Sequence, residues 1–326
     1  MFKCRFILKI NIQNSFMAKI LITGAAGYIG SKLIPKLLEG GHEVTCVDNL
    51  MYERTSLIIP SIHPKCKIII GDARDEALMA PLIKESDVII PLACMTGAPL
   101  CDKDKIAAKT VNFDSVVLCS KLSSPNQLII YPCTNSGYGI GQEGIFCNEE
   151  SELNPISLYG KMKVQAEKVL LDKGNAITFR LATVFGVSPR PRLDLLVNDF
   201  TYRAYFDKAV VLFEADFKRN YLHIDDAVDG FIFAMNNQQL KGNTFNLGYS
   251  KANLSKRELC QLIQKQLPKF VYLISEIGED VDKRNYIVSN EKIETSGFKA
   301  SRSVEQGVSE LIKALPLLKK NQFSNV

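Results

Sequence analysis

The stretch Ile20-Leu-Ile-Thr-Gly-Ala-Ala-Gly-Tyr-Ile-Gly30 decides how the rest of the chain is read. Lys19 to Thr23 is a short apolar run suited to a buried parallel strand, and from Tyr28 to Leu38 apolar residues recur at helical spacing. The glycines therefore fall where strand becomes helix. Gly24 can take backbone angles that a side chain forbids, Gly27 lets a pyrophosphate approach the backbone, and Gly30 lets helix pack on strand. A helix N-terminus placed there presents free N–H groups to an anion. A glycine triplet alone also fits an ordinary surface turn. Here the next apolar run, Val44 to Val47, ends in Asp48, about 20 residues on, where an acid can bind the adenosine ribose hydroxyls. Strand, turn, helix and acid in this order predict a dinucleotide site built from Gly24, Gly27, Tyr28, Ile29, Asp48 and Asn49. A carboxylate at 48 would repel a 2′-phosphate, so NAD is expected rather than NADP.

The 326 residues, 46% hydrophobic and 23% charged, suffice for one large core plus a smaller lobe. Lysine and arginine number 40 against 35 aspartate and glutamate, a formal charge of +5 spread without a basic block. That balance suits an anionic small ligand and lacks the clustered patch of a nucleic-acid binder. Nine cysteines without paired spacing argue for reduced thiols in a cytoplasm. His42, His63 and His223 lie far apart and no Cys-x-x-Cys occurs, so no metal site is expected. No stretch is long enough to span a membrane. Residues 1–18 read as an N-terminal extension: Lys9 interrupts Phe6-Ile-Leu8, no cleavage site follows, and Met17 stands just before the first strand.

Downstream, Lys67 to Ile70 is a third apolar run ending in Gly71-Asp72. Asp72 either meets the adenine amino group or caps the helix beginning near Glu76. Asp87 to Pro91 forms a fourth strand, and small residues follow it in Leu92-Ala-Cys-Met-Thr-Gly-Ala-Pro99, as close backbone approach to a cofactor requires. A long helical pattern through Asn112, Val116 and Leu118 leads to a fifth strand, Gln127 to Tyr131, then to the hydroxyl-rich loop Pro132-Cys-Thr-Asn-Ser-Gly-Tyr-Gly139. An amphipathic helix through Leu171 precedes a sixth strand, Ala176 to Arg180. This alternation predicts an α/β fold, a doubly wound parallel sheet with right-handed crossovers.

Tyr159 and Lys163 lie four apart, on one face of the helix after the hydroxyl loop. The spacing alone carries little, since Tyr28 and Lys32 share it. Location separates them: Tyr28 belongs to the phosphate-binding turn, whereas Thr134, Tyr159 and Lys163 can converge beside a nicotinamide. Cys94 and Cys133 flank that pocket without a helper base and read as small buried residues, and His223 reads as a packed or capping histidine.

At this point the sequence resembles an extended short-chain dehydrogenase/reductase, of the nucleotide-sugar epimerase and dehydratase family, over residues 19 to about 315. The matching motifs are Thr-Gly-x-x-Gly-x-x-Gly at 23–30, Leu-Ala at 92–93, Tyr-Gly at 138–139 and Tyr-Gly-Lys-Met-Lys at 159–163. The finer pattern at 91–101, 134–139 and 180–190 resembles a branch acting on GDP-linked heptoses in bacterial surface polysaccharide synthesis. The resemblance implies a Rossmann-type NAD-binding domain over 19–181, joined again by 221–250, with a nucleotide-sugar lobe over 182–220 and 251–326. It implies cofactor contacts from Asp72, Ala73, Leu92 and Ala93 as well. It makes Tyr159, ionised with help from Lys163 and the nicotinamide, the base at a sugar hydroxyl, and Thr134 a hydrogen-bond partner of the same oxygen. Substrate contacts are implied for Thr96, Asn135, Ser136, Thr183, Asn198, Arg219 and Arg284. The two arginines suit a diphosphate, and Thr183 stands where the family usually has asparagine. Ser136 occupies the position of the glutamate that dehydratases use to expel a hydroxyl, so dehydration is not expected. A homodimer through helices around 103–123 and 157–173 is implied by resemblance alone. The expected activity is NAD-dependent oxidation at C4 of a nucleotide-diphosphate sugar, as 4-dehydrogenase or 4-epimerase. The competing readings are a non-catalytic dinucleotide sensor on the same fold and a UDP-sugar epimerase or decarboxylase.

Overall fold

The computed structural model describes residues 17–52, 55–277 and 284–318. Residues 1–16 of the expected extension, and Asp282 and Lys283 next to Arg284, lie outside the described residues. In chain order the described strands are β1 (Lys19–Thr23), β2 (Glu43–Asp48), β3 (Cys66–Ile70), β4 (Val88–Pro91), β5 (Leu128–Thr134), β6 (Phe146–Cys147) and β7 (Ala176–Leu181). There follow β8 (Thr183–Phe185), β9 (Ala209–Leu212), β10 (Lys218–His223), β11 (Asn243–Leu247), β12 (Asn253–Ser255), β13 (Val271–Ile274) and β14 (Ile287–Val288).

Seven strands form the main sheet in the order β11-β7-β5-β4-β1-β2-β3, every pair parallel. Alternate residues of β1 serve opposite cores. Ile20 and Ile22 pack with Leu33, Ile34 and Leu37 of the helix Gly30–Glu39 and with Val228 and Phe231 of the helix Ile224–Asn236. Leu21 faces Met79, Val116 and Leu170 on the other side. Helices on both faces explain why β4, β5 and β7 are buried at every residue. The chain runs outward in both directions from β1, toward β2 on one side and β4 on the other, so a crevice opens where their ends part. Thr23 pairs with both Val47 and Pro91, which brings Gly24, Asp48 and Leu92 out of the sheet side by side.

A second hydrophobic core, that of the smaller lobe, draws on residues 185–221 and 252–311. β10 pairs in parallel with β8 and antiparallel with β12, while β13 lies parallel to β9 and β14 to β6. Val197, Phe200, Leu259, Ile263, Phe270, Val308 and Leu311 form its core, on the helices Leu196–Phe206, Lys256–Gln266 and Val304–Ala314 and the turn before β13.

The long helical pattern expected before β5 is broken. It comprises Ala98–Lys103, Lys105–Lys109, a π-helical turn at Thr110–Asp114 and Ser115–Leu122. The wider turn places Asn112 so that its Oδ1 accepts from Met95 N at 2.7 Å and its Nδ2 donates to Met95 O at 2.9 Å. Both hydrogen bonds fix the loop leaving β4. Among the described residues no helix is long and apolar enough to cross a membrane.

Candidate active site

One cleft of about 580 Å³ opens at the carboxyl ends of the main strands and is lined by both lobes. Its floor is the turn after β1. Gly24 has φ +65°, and a Cβ there would stand 2.5 Å from Ala93 N, so the turn and the end of β4 touch backbone to backbone. A Cβ at Gly30 would meet Ala25 O at 2.3 Å; this glycine spares the turn's own carbonyl rather than the contact of helix with strand. Asp48 Oδ2 accepts from Ala26 N at 2.9 Å and Oδ1 from Leu50 N at 2.8 Å, which ties the acid to the turn it serves. Gly24, Gly27, Tyr28, Ile29, Asp48, Asn49, Asp72, Ala73, Leu92 and Ala93 all line the cleft.

Asp72 does not cap the next helix. Asp75 does so, its Oδ1 accepting from Ala77 N and Leu78 N. Asp72 is gripped instead by Arg74, Nε to Oδ1 at 2.9 Å and Nη2 to Oδ2 at 2.6 Å, which holds its carboxyl below the usual carboxylate range.

Thr134, Tyr159 and Lys163 line the same cleft. Thr134 ends β5, where its Oγ1 donates to Ser136 Oγ at 3.0 Å and accepts from Ser136 N at 3.1 Å. Ser157 caps the helix Leu158–Lys173 by accepting from Gly160 N, which sets Tyr159 in the first turn and Lys163 one turn later. Lys163 is buried, with Nζ 4.1 Å from the ring centroid of Tyr131. Burial pushes the Tyr159 phenol well above the ordinary tyrosine range, and Cys94 and Cys133 push the same way. The opposing charges are those of Arg284 and Arg192. Ionising Tyr159 therefore works against its burial, and the resemblance gives that task to Lys163 together with the bound nicotinamide. Burial also raises both thiols, which suits packed cysteines rather than nucleophiles.

Of the expected substrate residues, Thr96, Ser136, Thr183, Arg219 and Arg284 line the cleft. Arg284 Nη1 donates to Ser136 Oγ, so in this structure it reaches the hydroxyl loop. Asn135 and Asn198 are absent from the lining and each is 1% exposed. Asn135 turns into the interior. Asn198 is spent on structure: Oδ1 accepts from Gly186 N at 3.0 Å and Nδ2 donates to Arg192 O at 2.9 Å. His223 is a capping histidine: its Nδ1 accepts from Asp225 N at 3.2 Å, and its Nε2 lies 3.1 Å from Glu310 Oε2.

The family model described as the NAD dependent epimerase/dehydratase family matches residues 20–248. The chain belongs to this family. The UDP-glucose 4-epimerase of Streptococcus mutans is 26% identical over 309 residues, covering 86% of this chain and 91% of that protein. The UDP-glucose 4-epimerase of Thermotoga maritima, solved with UDP-glucose, has the same fold, with a TM-score of 0.81 at 22% identity over 92% of this chain and 99% of that one. The UDP-glucuronic acid 4-epimerase of Bacillus cereus, solved with UDP-glucuronic acid and NAD, gives 0.80 at 23% identity over 92% and 100%.

Membership makes the chain an NAD-dependent enzyme of the epimerase/dehydratase family, and the cleft fits that cofactor. The helix Gly30–Glu39 starts without a side-chain cap; Ser31 N and Lys32 N donate to Gly27 O and Ile29 O, so the N–H groups just before them, of Tyr28 to Gly30, are the ones left for an anion, and a Cβ at Gly27 would stand 3.0 Å from Gly24 O. Asp48, at the end of β2, stands where a ribose diol would lie. The sequence reading missed Arg190, Arg192 and Asp194, which line the cleft. Arg192 Nε donates to Asp194 Oδ1 at 2.7 Å, and the Arg190 guanidinium lies 4.6 Å from the Tyr52 ring centroid. Two arginines one residue apart beside the first break in alternation were the available signal.

Proposed function

We propose that this enzyme oxidises C4 of a nucleotide-diphosphate sugar with NAD and either re-reduces or releases the keto sugar, as a 4-epimerase or a 4-dehydrogenase. The observation that carries this reading is the shared cleft: Thr134, Tyr159 and Lys163 line it together with Arg219 and Arg284. When bound, NAD supplies the hydride acceptor. Tyr159 Oη removes the proton of the C4 hydroxyl, and Thr134 Oγ1 hydrogen-bonds the same oxygen. The charges of Arg284 and Arg192 oppose the burial that keeps Tyr159 protonated, and the Lys163 ammonium one helical turn away favours the phenolate in the same sense. Arg219 and Arg284 take the diphosphate, for which a planar guanidinium offers paired donors. A diphosphate would compete with Ser136 for Arg284. Thr96, Ser136 and Thr183 face the sugar. With Ser136 in place of a carboxylic acid, no side chain there can expel a 6-hydroxyl, and oxidation stops at the ketone.

The test is to incubate purified protein with GDP-, UDP-, dTDP- and CDP-sugars while following NADH absorbance and product stereochemistry. The sequence pattern at 91–101 and 180–190 puts GDP-linked heptoses first in that panel. Lasting NADH identifies a dehydrogenase, and inversion at C4 without net reduction identifies an epimerase. No response to any sugar overturns the proposal in favour of a dinucleotide sensor.

A further inference from the structure

Lys163 is 3% exposed, yet among the described residues no carboxylate pairs with it and no acceptor takes a hydrogen bond from it. The acid nearest along its own helix, Glu167, is committed elsewhere. Its Oε1 accepts from Thr178 and Thr244 at 2.9 and 3.0 Å, and its Oε2 pairs with Arg180 at 3.0 Å. The other titratable groups that sense Lys163, Cys94 beyond β4 and Cys133 on β5, have thiols raised by burial and so carry no charge at neutral pH. What faces the ammonium is a ring: Nζ stands 4.1 Å from the centroid of Tyr131, itself fully buried on β5. The Tyr131 hydroxyl has no hydrogen-bond partner among the described residues, so the ring face rather than the hydroxyl gives this residue its use.

We propose that Tyr131 is a positioning residue, whose ring face holds the Lys163 ammonium at the reacting end of the cleft in place of a carboxylate. The distinction matters chemically. A carboxylate would stabilise the ammonium but cancel its charge, whereas a ring quadrupole stabilises the cation and leaves its full charge to act on Tyr159. A desolvated contact of this kind is worth about 2 kcal/mol, comparable to a hydrogen bond to a charged group. The inference rests on the assignment of Lys163 to the reacting pair, and its test has one arm that does not need turnover.

In cofactor-free protein with 13C-labelled lysine, the ε-methylene protons of Lys163, assigned with Lys163→Met, are expected upfield of the other lysines because they lie over the ring. The shift should persist in Tyr131→Phe and collapse in Tyr131→Leu. In turnover, Tyr131→Leu should lower kcat by about tenfold to thirtyfold, the rate equivalent of the cation–π contact, with KM for the sugar within about twofold. Tyr131→Phe should restore the rate. Pentafluorophenylalanine at 131 keeps the shape while reversing the ring's charge distribution, and should fall with Tyr131→Leu; it decides the matter if Tyr131→Leu does not fold. An unshifted Lys163 signal in the wild type, or an undiminished kcat with the fluorinated ring, overturns the proposal. A shifted signal in a protein that turns over no sugar leaves the contact standing and removes the proposed reaction instead.

Discussion

Two tyrosine–lysine pairs with the same spacing meet opposite fates in this molecule. Tyr28 donates from its hydroxyl to Gly186 O at 2.8 Å and accepts from Asn198 Nδ2 at 3.4 Å, while Lys32 is paired with Asp225 at 2.8 Å. The Tyr28 hydroxyl fastens the dinucleotide turn to Gly186 and Asn198, and Lys32 fastens the helix that follows to Ile224–Asn236. Both tyrosines line the cleft, but Lys163 lines it too and meets an aromatic ring rather than a counter-ion. Spacing puts two side chains on one face of a helix; what the surroundings leave unspent makes them chemistry.

The largest expected difference between the pairs is in turnover. Tyr159→Phe should lower kcat by about a thousandfold, within the range for a lost general base, while NAD still binds by fluorescence titration; turnover near wild type would erase the contrast. The pH profile sharpens it further. A base raised by burial must lose its proton before it can act, so single-turnover NAD reduction should climb as pH rises from neutral, by up to about tenfold per unit on the acid limb. A flat profile between pH 6 and 9 would show that Tyr159 is already ionised or is not the base. Tyr28→Phe should act on stability: it leaves Gly186 O and Asn198 one partner short, for a loss of about 1–2 kcal/mol in denaturant unfolding. Lys32→Ala, at a half-exposed ion pair, should cost under about 1 kcal/mol and less in high salt; a larger loss would mean that this pair is more than a fastening.

The main sheet was legible because its signals are local. Apolar runs bounded by glycine, proline and aspartate gave six of its strands, five within one residue at either end and β5 three residues short at its end. The turn after β1 was equally legible, since each glycine there answers to neighbours close in sequence or to the end of the next sheet strand. The misreadings came where distance in sequence hides contact in space. Asn198 looked like a ligand residue, but Gly186 takes its carbonyl oxygen and Tyr28, 170 residues away, takes its amide nitrogen. Asn135 sits between two cleft residues and turns away from both. Asp72 and Asp75 are both placed to cap a helix, and only the path of the turn decides that Arg74 takes one and the helix the other. The π-helical turn at Thr110–Asp114 escaped notice because one extra residue in a helical turn barely disturbs an apolar periodicity. The burial that raises the Tyr159 phenol cannot be counted from residue types alone.

The position of β11 bears on how the molecule comes into being. This strand closes the outer edge of β7, yet it is made only after the chain has gone out to build much of the other lobe and returned through the helix Ile224–Asn236. Until Asn243–Leu247 has left the ribosome, β7 presents a row of unsatisfied N–H and C=O groups that another chain can pair with. Fragments ending before residue 243 should therefore aggregate during synthesis, and fragments that reach past Leu247 should stay dispersed. The gene cannot be cut at the visible boundary between the lobes without opening the sheet.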